Sequence, residues 1–214
     1  MIKKGFMMMA LLFGFVIVSL GQAKKDAATL LQEVTDKTKS YETIKILFSY
    51  KMDNPQANIH ESQDGELHVK GDMYRLNIAG QVVICDGKTI WTYIKDANEI
   101  QINSVEEDKN AITPTKLLTS YSSDYKSRLT GEEKKGNKTL QVVELKPVQD
   151  KTYSKVELKI DKDLKQIQQI SIFDKNGNTF TYIMKEFLPN VQFKATEFAY
   201  NASEFPGAEV IDMR

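Results

Sequence analysis

The chain has 214 residues, 29 of them basic and 29 acidic, so its formal net charge is zero. Hydrophobic residues make up 41% and charged residues 27%, an ordinary globular balance that excludes a wholly disordered chain. The balanced charge argues against a nucleic-acid binder working by counterion release, the single cysteine excludes an intrachain disulfide or a Cys-rich zinc site, and two histidines leave little for a metal centre or a His-based triad.

Met1-Ile2-Lys3-Lys4 is a short basic start, and Phe6 to Leu20 then runs without a charge. That run is shorter than the roughly 20 apolar residues of a membrane-spanning helix. Gly21-Gln22-Ala23 has small residues where an export signal is cleaved, so a signal peptide over 1–23 is expected. No cysteine stands near the cleavage site, so the mature chain is not expected to be a lipoprotein itself. Removing 23 residues leaves 191, with 27 basic against 29 acidic. Four of the eight methionines leave too, so the methionine content belongs largely to the signal. Cys85 then stands alone and is expected to be buried as a small apolar group.

From Asp26 to about Ser40, Ala27, Leu30, Leu31, Val34 and then Tyr41 fall on one helical face. The pattern then changes to period two. Ile44, Ile46, Phe48, Tyr50 and Met52 alternate with polar or outward residues, as a strand with one apolar face does. Further strands are expected around Leu67 and Val69, at 74–78, 82–85, 89–94, 100–103, 139–145, 153–160, 167–173 and 179–187, with a last one including Phe198 and Tyr200. Asp64-Gly65, Ala79-Gly80, Asp86-Gly87, Gly136-Asn137 and Asn176-Gly177 read as turns between them. About ten strands in sequential hairpins predict an antiparallel meander that must curl or close. One helical interruption is expected after Thr113, with Pro114 in its first turn and Leu117-Leu118 following, and 106–110 reads as a surface loop. One domain from about Lys24 to Arg214 is the simplest organisation.

The sequence has no G-x-S-x-G elbow, no Walker loop, no G-x-G-x-x-G, no H-E-x-x-H and no C-x-x-C. His60 and His68 flank Glu61, Asp64 and Glu66 across an expected hairpin, but their spacing matches no metal-ligand pattern, and solvent-exposed strand positions are the reading preferred. Asp161 and Asp163 sit where a strand should turn, which favours a turn over an acid–base pair. What remains is an apolar inner face: Phe48, Tyr50, Leu67, Leu76, Ile78, Trp91, Tyr93, Val156, Leu158, Ile160, Phe180 and Tyr182. Periodicity alone favours side chains that fill a barrel over side chains that line a cavity, since a core explains an apolar stripe without further assumptions.

The run Val83-Ile84-Cys85-Asp86-Gly87-Lys88-Thr89-Ile90-Trp91-Thr92-Tyr93 resembles the D-G-K-x-[LI]-W-x-Y segment of the outer-membrane lipoprotein carrier protein (LolA) family. Other pieces fall in the family's order. These are the L-L-x-x-V helix, Gly65-Glu66-Leu67-His68-Val69-Lys70, Thr113-Pro114-Thr115-Lys116-Leu117-Leu118, Leu145-Lys146-Pro147, Asp174-Lys175-Asn176-Gly177-Asn178, and the closing Phe198, Pro206-Gly207 and Val210. The resemblance implies an incomplete, strongly curved antiparallel β-barrel closed by a helical lid, mainly β with helices. It also implies a monomeric periplasmic carrier, neither enzyme nor cofactor-binding. Such a carrier takes acylated lipoproteins from an inner-membrane ABC-type release complex and moves them toward an outer-membrane acceptor. The alternative is a related periplasmic module on the same fold that binds a lipid or glycolipid or senses lipoproteins.

Exposing an acyl chain to water costs about 0.8 kcal/mol per CH₂, so three ordinary chains present a barrier on the order of 30 kcal/mol. A carrier must replace most of that with apolar wall. The inner-face residues above are the expected acyl-chain contacts, with Leu30, Leu31, Val34, Leu117 and Leu118 as lid elements. One departure stands out. Family members carry a lid-fastening arginine directly after the V-K pair, where this chain has Gly71; Arg75, four residues on, is the basic residue nearest that role.

Overall fold

The computed structural model describes residues 26–105, 113–119, 121 and 124–214. The expected signal peptide over 1–23 and the surface loop expected at 106–110 lie outside them. Helix α1 spans Ala27–Lys39. Asp26 caps its start, accepting from the Thr29 amide at 2.7 Å, and Lys37 and Lys39 in its last turn suit the negative end of the helix. Helix α2, Pro114–Thr119, starts where Thr113 Oγ1 accepts from the Lys116 amide at 3.2 Å.

Twelve strands follow α1, in the chain order β1 Ile44–Asn54, β2 Ile59–Lys70, β3 Met73–Ile78, β4 Gln81–Cys85, β5 Thr89–Ile94 and β6 Glu99–Ser104. After α2 come β7 Tyr125–Lys135, β8 Lys138–Pro147, β9 Tyr153–Asp161, β10 Gln166–Asp174, β11 Thr179–Pro189 and β12 Glu209–Asp212. They form one sheet in the order β12-β6-β5-β4-β3-β2-β1-β11-β10-β9-β8-β7. Two antiparallel meanders, β1 to β6 and β7 to β11, are therefore welded by the long β1–β11 pairing. The sheet curls so that residues of both meanders share one core under α1, yet β12 and β7 remain unpaired to each other and the barrel stays open.

Several expectations need correction. Asp64-Gly65 is not a turn: β2 runs straight through it, and the β1–β2 reversal lies at 55–58, where Asn58 has φ +52°. Gly65 is there for space instead, because a Cβ on it would stand 2.4 Å from Phe48 Cζ. Ala79-Gly80, with φ +51° and +73°, does make the expected hairpin turn. Strand β7 was not expected because Lys126, Arg128, Glu132, Glu133, Lys134 and Lys135 hide its alternation; such charges suit an edge strand. Phe198 and Tyr200 belong to no strand, and the last strand, β12, pairs parallel to β6.

Residues 190–208 instead cross the outer face of the first meander. There Ile84, Ile100, Ile102 and Phe205 form a second core with Trp91, Tyr93 and Tyr200 against it. Trp91 stacks on Tyr200 at 5.7 Å and Tyr93 meets Phe205 at 4.6 Å between ring centroids. Polar ties hold the segment down. Arg75 donates to Glu204 at 2.8 Å, and His68 stacks on Phe193 with its Nδ1 2.7 Å from Glu197 and its Nε2 2.5 Å from Glu66. His68 is thus no solvated side chain, its side chain being 12% exposed. His60 lies eight residues away on the same strand, paired with Asp53, so the two histidines share no site.

His68→Gln should loosen this segment. Hydrogen bonds to charged groups contribute about 1.5–3 kcal/mol, so unfolding should become easier by about that amount. Trp91, the single tryptophan, should show red-shifted emission with an unchanged far-ultraviolet spectrum. An unmoved emission would show that His68 does not fasten the segment.

Candidate functional site

Cross-strand register assigns the two faces of the sheet. Residues directly opposite in a ladder share a face. Phe48 faces Met184, Tyr50 faces Tyr182 and Met52 faces Phe180 on β11, while Leu67 faces Leu76 and Leu76 faces Val83 across β2, β3 and β4. These side chains line the concave side. From the other meander Val156, Leu158, Ile170 and Ile172 join them.

The concave face has two parts. Beneath the helices it is a packed core: Leu30, Leu31 and Val34 of α1 and Leu118 of α2 are buried with Phe48, Leu67, Val156, Leu158 and Ile160. Leu117 lies in α2, but its side chain is outside the description. Beyond the helices, Tyr50, Leu76, Ile78, Phe180 and Tyr182 are only half-buried, together with Val83, Ile90 and Met184. An aromatic band runs through this part. Tyr50 lies 5.4 Å from Tyr182 and 6.5 Å from Phe180, and Phe48 lies 5.9 Å from Tyr182.

Of the expected contacts, fourteen thus belong to the concave face or its helical cover, two do not, and the side chain of Leu117 is outside the described residues. Trp91 and Tyr93 point to the outer face, where 190–208 covers them. Strand alternation places Ile90 inside when Trp91 is outside, and the ladder confirms it, since Trp91 opposes Ile84 and Ile102. Size, rather than register, makes Trp91 look like cavity wall. Met52, Val83, Ile90 and Met184 were missed; Met52 and Met184 continue alternating runs already visible in the sequence, whereas Val83 and Ile90 needed the register.

The electrostatics agree with an apolar surface. Burial, then the neighbouring Tyr50, pushes the Tyr182 hydroxyl up to about 12. Burial and then the field of Glu61 also raise Tyr50. Tyr121, beside α1 and α2, is raised well above the ordinary phenol by complete burial, and its hydroxyl has no hydrogen-bond partner among the described residues. Burial likewise raises the Cys85 thiol, which makes it a poor nucleophile. Asp161 accepts from the amides of Asp163 at 3.1 Å and Leu164 at 3.0 Å, which makes it a turn cap. Among the described residues no group of three His, Cys, Asp or Glu side chains could hold a metal ion.

Position 71, where the family's latching arginine is expected, holds a glycine. Gly71 sits at φ +58° in the β2–β3 turn, beside a cavity of about 240 Å³ between the end of α1, the start of β1 and α2. Arg75 cannot replace the latch, because it lies on the outer face and is engaged by Glu204. Apolar contact of Leu30, Leu31, Val34 and Leu118 with the sheet dominates the closure.

The family model described as outer membrane lipoprotein carrier protein LolA matches residues 39–201. No curated protein matches the chain. Among solved structures, an uncharacterized conserved protein from Thermus thermophilus aligns with TM-score 0.57 and 13% identity, over 85% of this chain and 98% of that one. Lipoprotein LppX from Mycobacterium tuberculosis aligns with TM-score 0.49 and 13% identity, over 77% of this chain and 97% of that one. A LolA superfamily protein from Nitrosomonas europaea aligns with TM-score 0.44 and 12% identity, over 81% and 97%. Identities this low speak to the fold alone.

Two outcomes follow from the site. Gly65→Ala should displace the Phe48 ring and lower stability by about 1–3 kcal/mol, the usual cost of overpacking; unchanged stability would mean the ring moves freely. Tyr182 holds its proton more tightly folded than unfolded. Its contribution is therefore complete below the ordinary phenol value near 10 and is lost as pH rises toward about 12. Alkaline unfolding of Tyr182→Phe should lack this component; an identical alkaline profile would contradict the burial of that hydroxyl.

Proposed function

Because the chain belongs to the outer membrane lipoprotein carrier protein LolA family, we propose that it binds the acyl chains of lipoproteins on its concave face and ferries them through the periplasm toward the outer membrane. The observation that carries this reading is the half-exposed band of Tyr50, Phe180, Tyr182, Leu76 and Ile78, continuous with the core beneath α1 and α2. Large half-wet apolar surfaces of this kind mark binding sites. Acyl chains lie first on the band. They then extend beneath the helices as the Leu30/Leu31/Val34 stripe gives way, so apolar contact with the helices is exchanged for apolar contact with the passenger. An inner-membrane ABC-type release complex supplies the cargo and an outer-membrane acceptor takes it. No bond is made or broken, so the site needs shape and apolar area and calls for no nucleophile or cofactor.

Release requires that closure be only moderately favourable. The Tyr121 hydroxyl, without a hydrogen-bond partner among the described residues, serves this end, since a buried unsatisfied donor costs about 1–3 kcal/mol. Relieving that cost favours opening.

Phe180→Glu should lower affinity for a long-chain lipid at least tenfold in a displacement assay with an apolar dye, without unfolding the chain, because Phe180 is half-exposed. Phe48→Glu and Leu118→Glu bury a charge, each parent side chain being 4% exposed, and should unfold the protein instead. Tyr121→Phe should raise stability by about 1 kcal/mol while weakening lipid binding by holding the cover closed. If Phe180→Glu binds lipid like the parent, the acyl site is elsewhere.

A further inference from the structure

The first meander is notched. Pairing between β2 and β3 ends at Glu66 opposite Asn77, whereas β2 continues back to Ile59, where β1 is its one partner strand among the described residues. The notch holds a cavity of about 580 Å³, lined by Phe48, Gly65, Asn77, Ile78, Gly80 and Lys95 among others. Residues of both faces of the sheet meet there. Phe48 and Ile78 belong to the concave face, and Asn77 and Lys95 to the rim and outer side.

Register shows what the notch offers. The Lys95 amide donates to Gly80 at 3.0 Å and the Asp86 amide to Thr89 at 3.3 Å, so even-numbered residues of β4 direct their backbone groups toward β5. Antiparallel ladders alternate, and the β4–β3 and β3–β2 registers contain no shift. The backbone N–H and C=O of Glu66 and His68 therefore face β3. By the same alternation those of Ser62 and Asp64 face the notch, beyond the last β3 partner. A free strand edge with alternating donors and acceptors matches a peptide backbone and has nothing to offer an alkyl chain. Charge narrows the choice further. Asp64 is already engaged by Lys185, but no ion pair among the described residues engages Glu61, on the concave side of β2. Its negative field favours a cationic side chain next to Tyr50.

We propose that the β2 edge at Ser62 and Asp64 binds an extended polypeptide segment carrying a basic side chain, the portion of the cargo adjoining its acylated terminus, as an added strand. This rests on the acyl-binding reading and extends it. The tails lie on the aromatic band, the peptide leaves the concave face past Phe48 and Gly65, and its backbone pairs with β2. The site thus separates a lipid-modified polypeptide from a free lipid.

The test uses a palmitoylated lysine-containing peptide, palmitoyl amide, and the same peptide without the acyl group. The parent protein should bind the acylated peptide at least tenfold more tightly than palmitoyl amide. Ser62→Pro removes the amide that faces the notch while leaving the β1 ladder intact, and should abolish that increment with palmitoyl amide affinity unchanged. Ser62→Ala should behave like the parent. In parallel, hydrogen exchange of the Ser62 and Asp64 amides in the parent protein should slow at least tenfold on adding the acylated peptide and stay unchanged with palmitoyl amide. This measurement decides the matter if the proline variant fails to fold. Equal affinity for the two acyl probes, retention of the increment in Ser62→Pro, or unprotected amides would overturn the proposal. So would amides that are already protected at high protein concentration without ligand, which would assign the edge to a second copy. Failure of palmitoyl amide to bind at all would instead overturn the acyl-binding reading.

Discussion

A sheet that curls without closing leaves a concave apolar face that must be kept from water, and the other parts of this molecule are arranged around that need. Where α1 and α2 reach, the face is a dry core built on Leu30, Leu31, Val34 and Leu118. Where they do not reach, Tyr50, Phe180 and Tyr182 stay half-wet. Buried area at about 25 cal/mol per Å² favours any apolar body that completes the cover. The chain therefore carries its own substitute for a ligand over one part of the surface and leaves the rest open to one.

The outer face solves the same problem differently. The segment 190–208 buries Ile84, Ile100, Ile102, Trp91 and Tyr93, and it is tied by Arg75–Glu204 and by His68 between Glu66 and Glu197. Directional polar ties fix this cover, whereas mostly nondirectional apolar contact holds α1. The first kind of fastening favours a single arrangement. The second, on the function proposed above, lets a passenger compete. Gly71, with no side chain at the rim and Arg75 committed to the outer face, keeps the helical cover in the second class.

Much of this was legible in the sequence. The limits of α1, its buried stripe, the period-two runs of β1 and β3 and the Ala79-Gly80 turn all follow from local chemistry, and local chemistry survives folding. The misreadings share a cause. Gly65 looks like a turn residue, but its role is set by the ring of Phe48, on the neighbouring strand. Trp91 looks like cavity wall because it is large, but its face is set by the register with Ile84 and Ile102. The pairing of β1 with β11, which turns two meanders into one curled sheet, spans more than a hundred residues and has no local signal. Of the site, the aliphatic and aromatic composition was readable. Its division into a covered part and a half-open part was not, because that depends on where α1 comes to rest.

The central claim is that α1 and the acyl chains compete for one surface. Nitroxide labels on Lys37→Cys of α1 and Lys126→Cys of β7, both exposed positions, report their separation by pulsed electron resonance, while the buried Cys85 stays unlabelled. Saturation with an acylated ligand should shift the distance distribution to a distinctly longer, single population. A distribution that stays unchanged while the ligand is demonstrably bound would contradict the account.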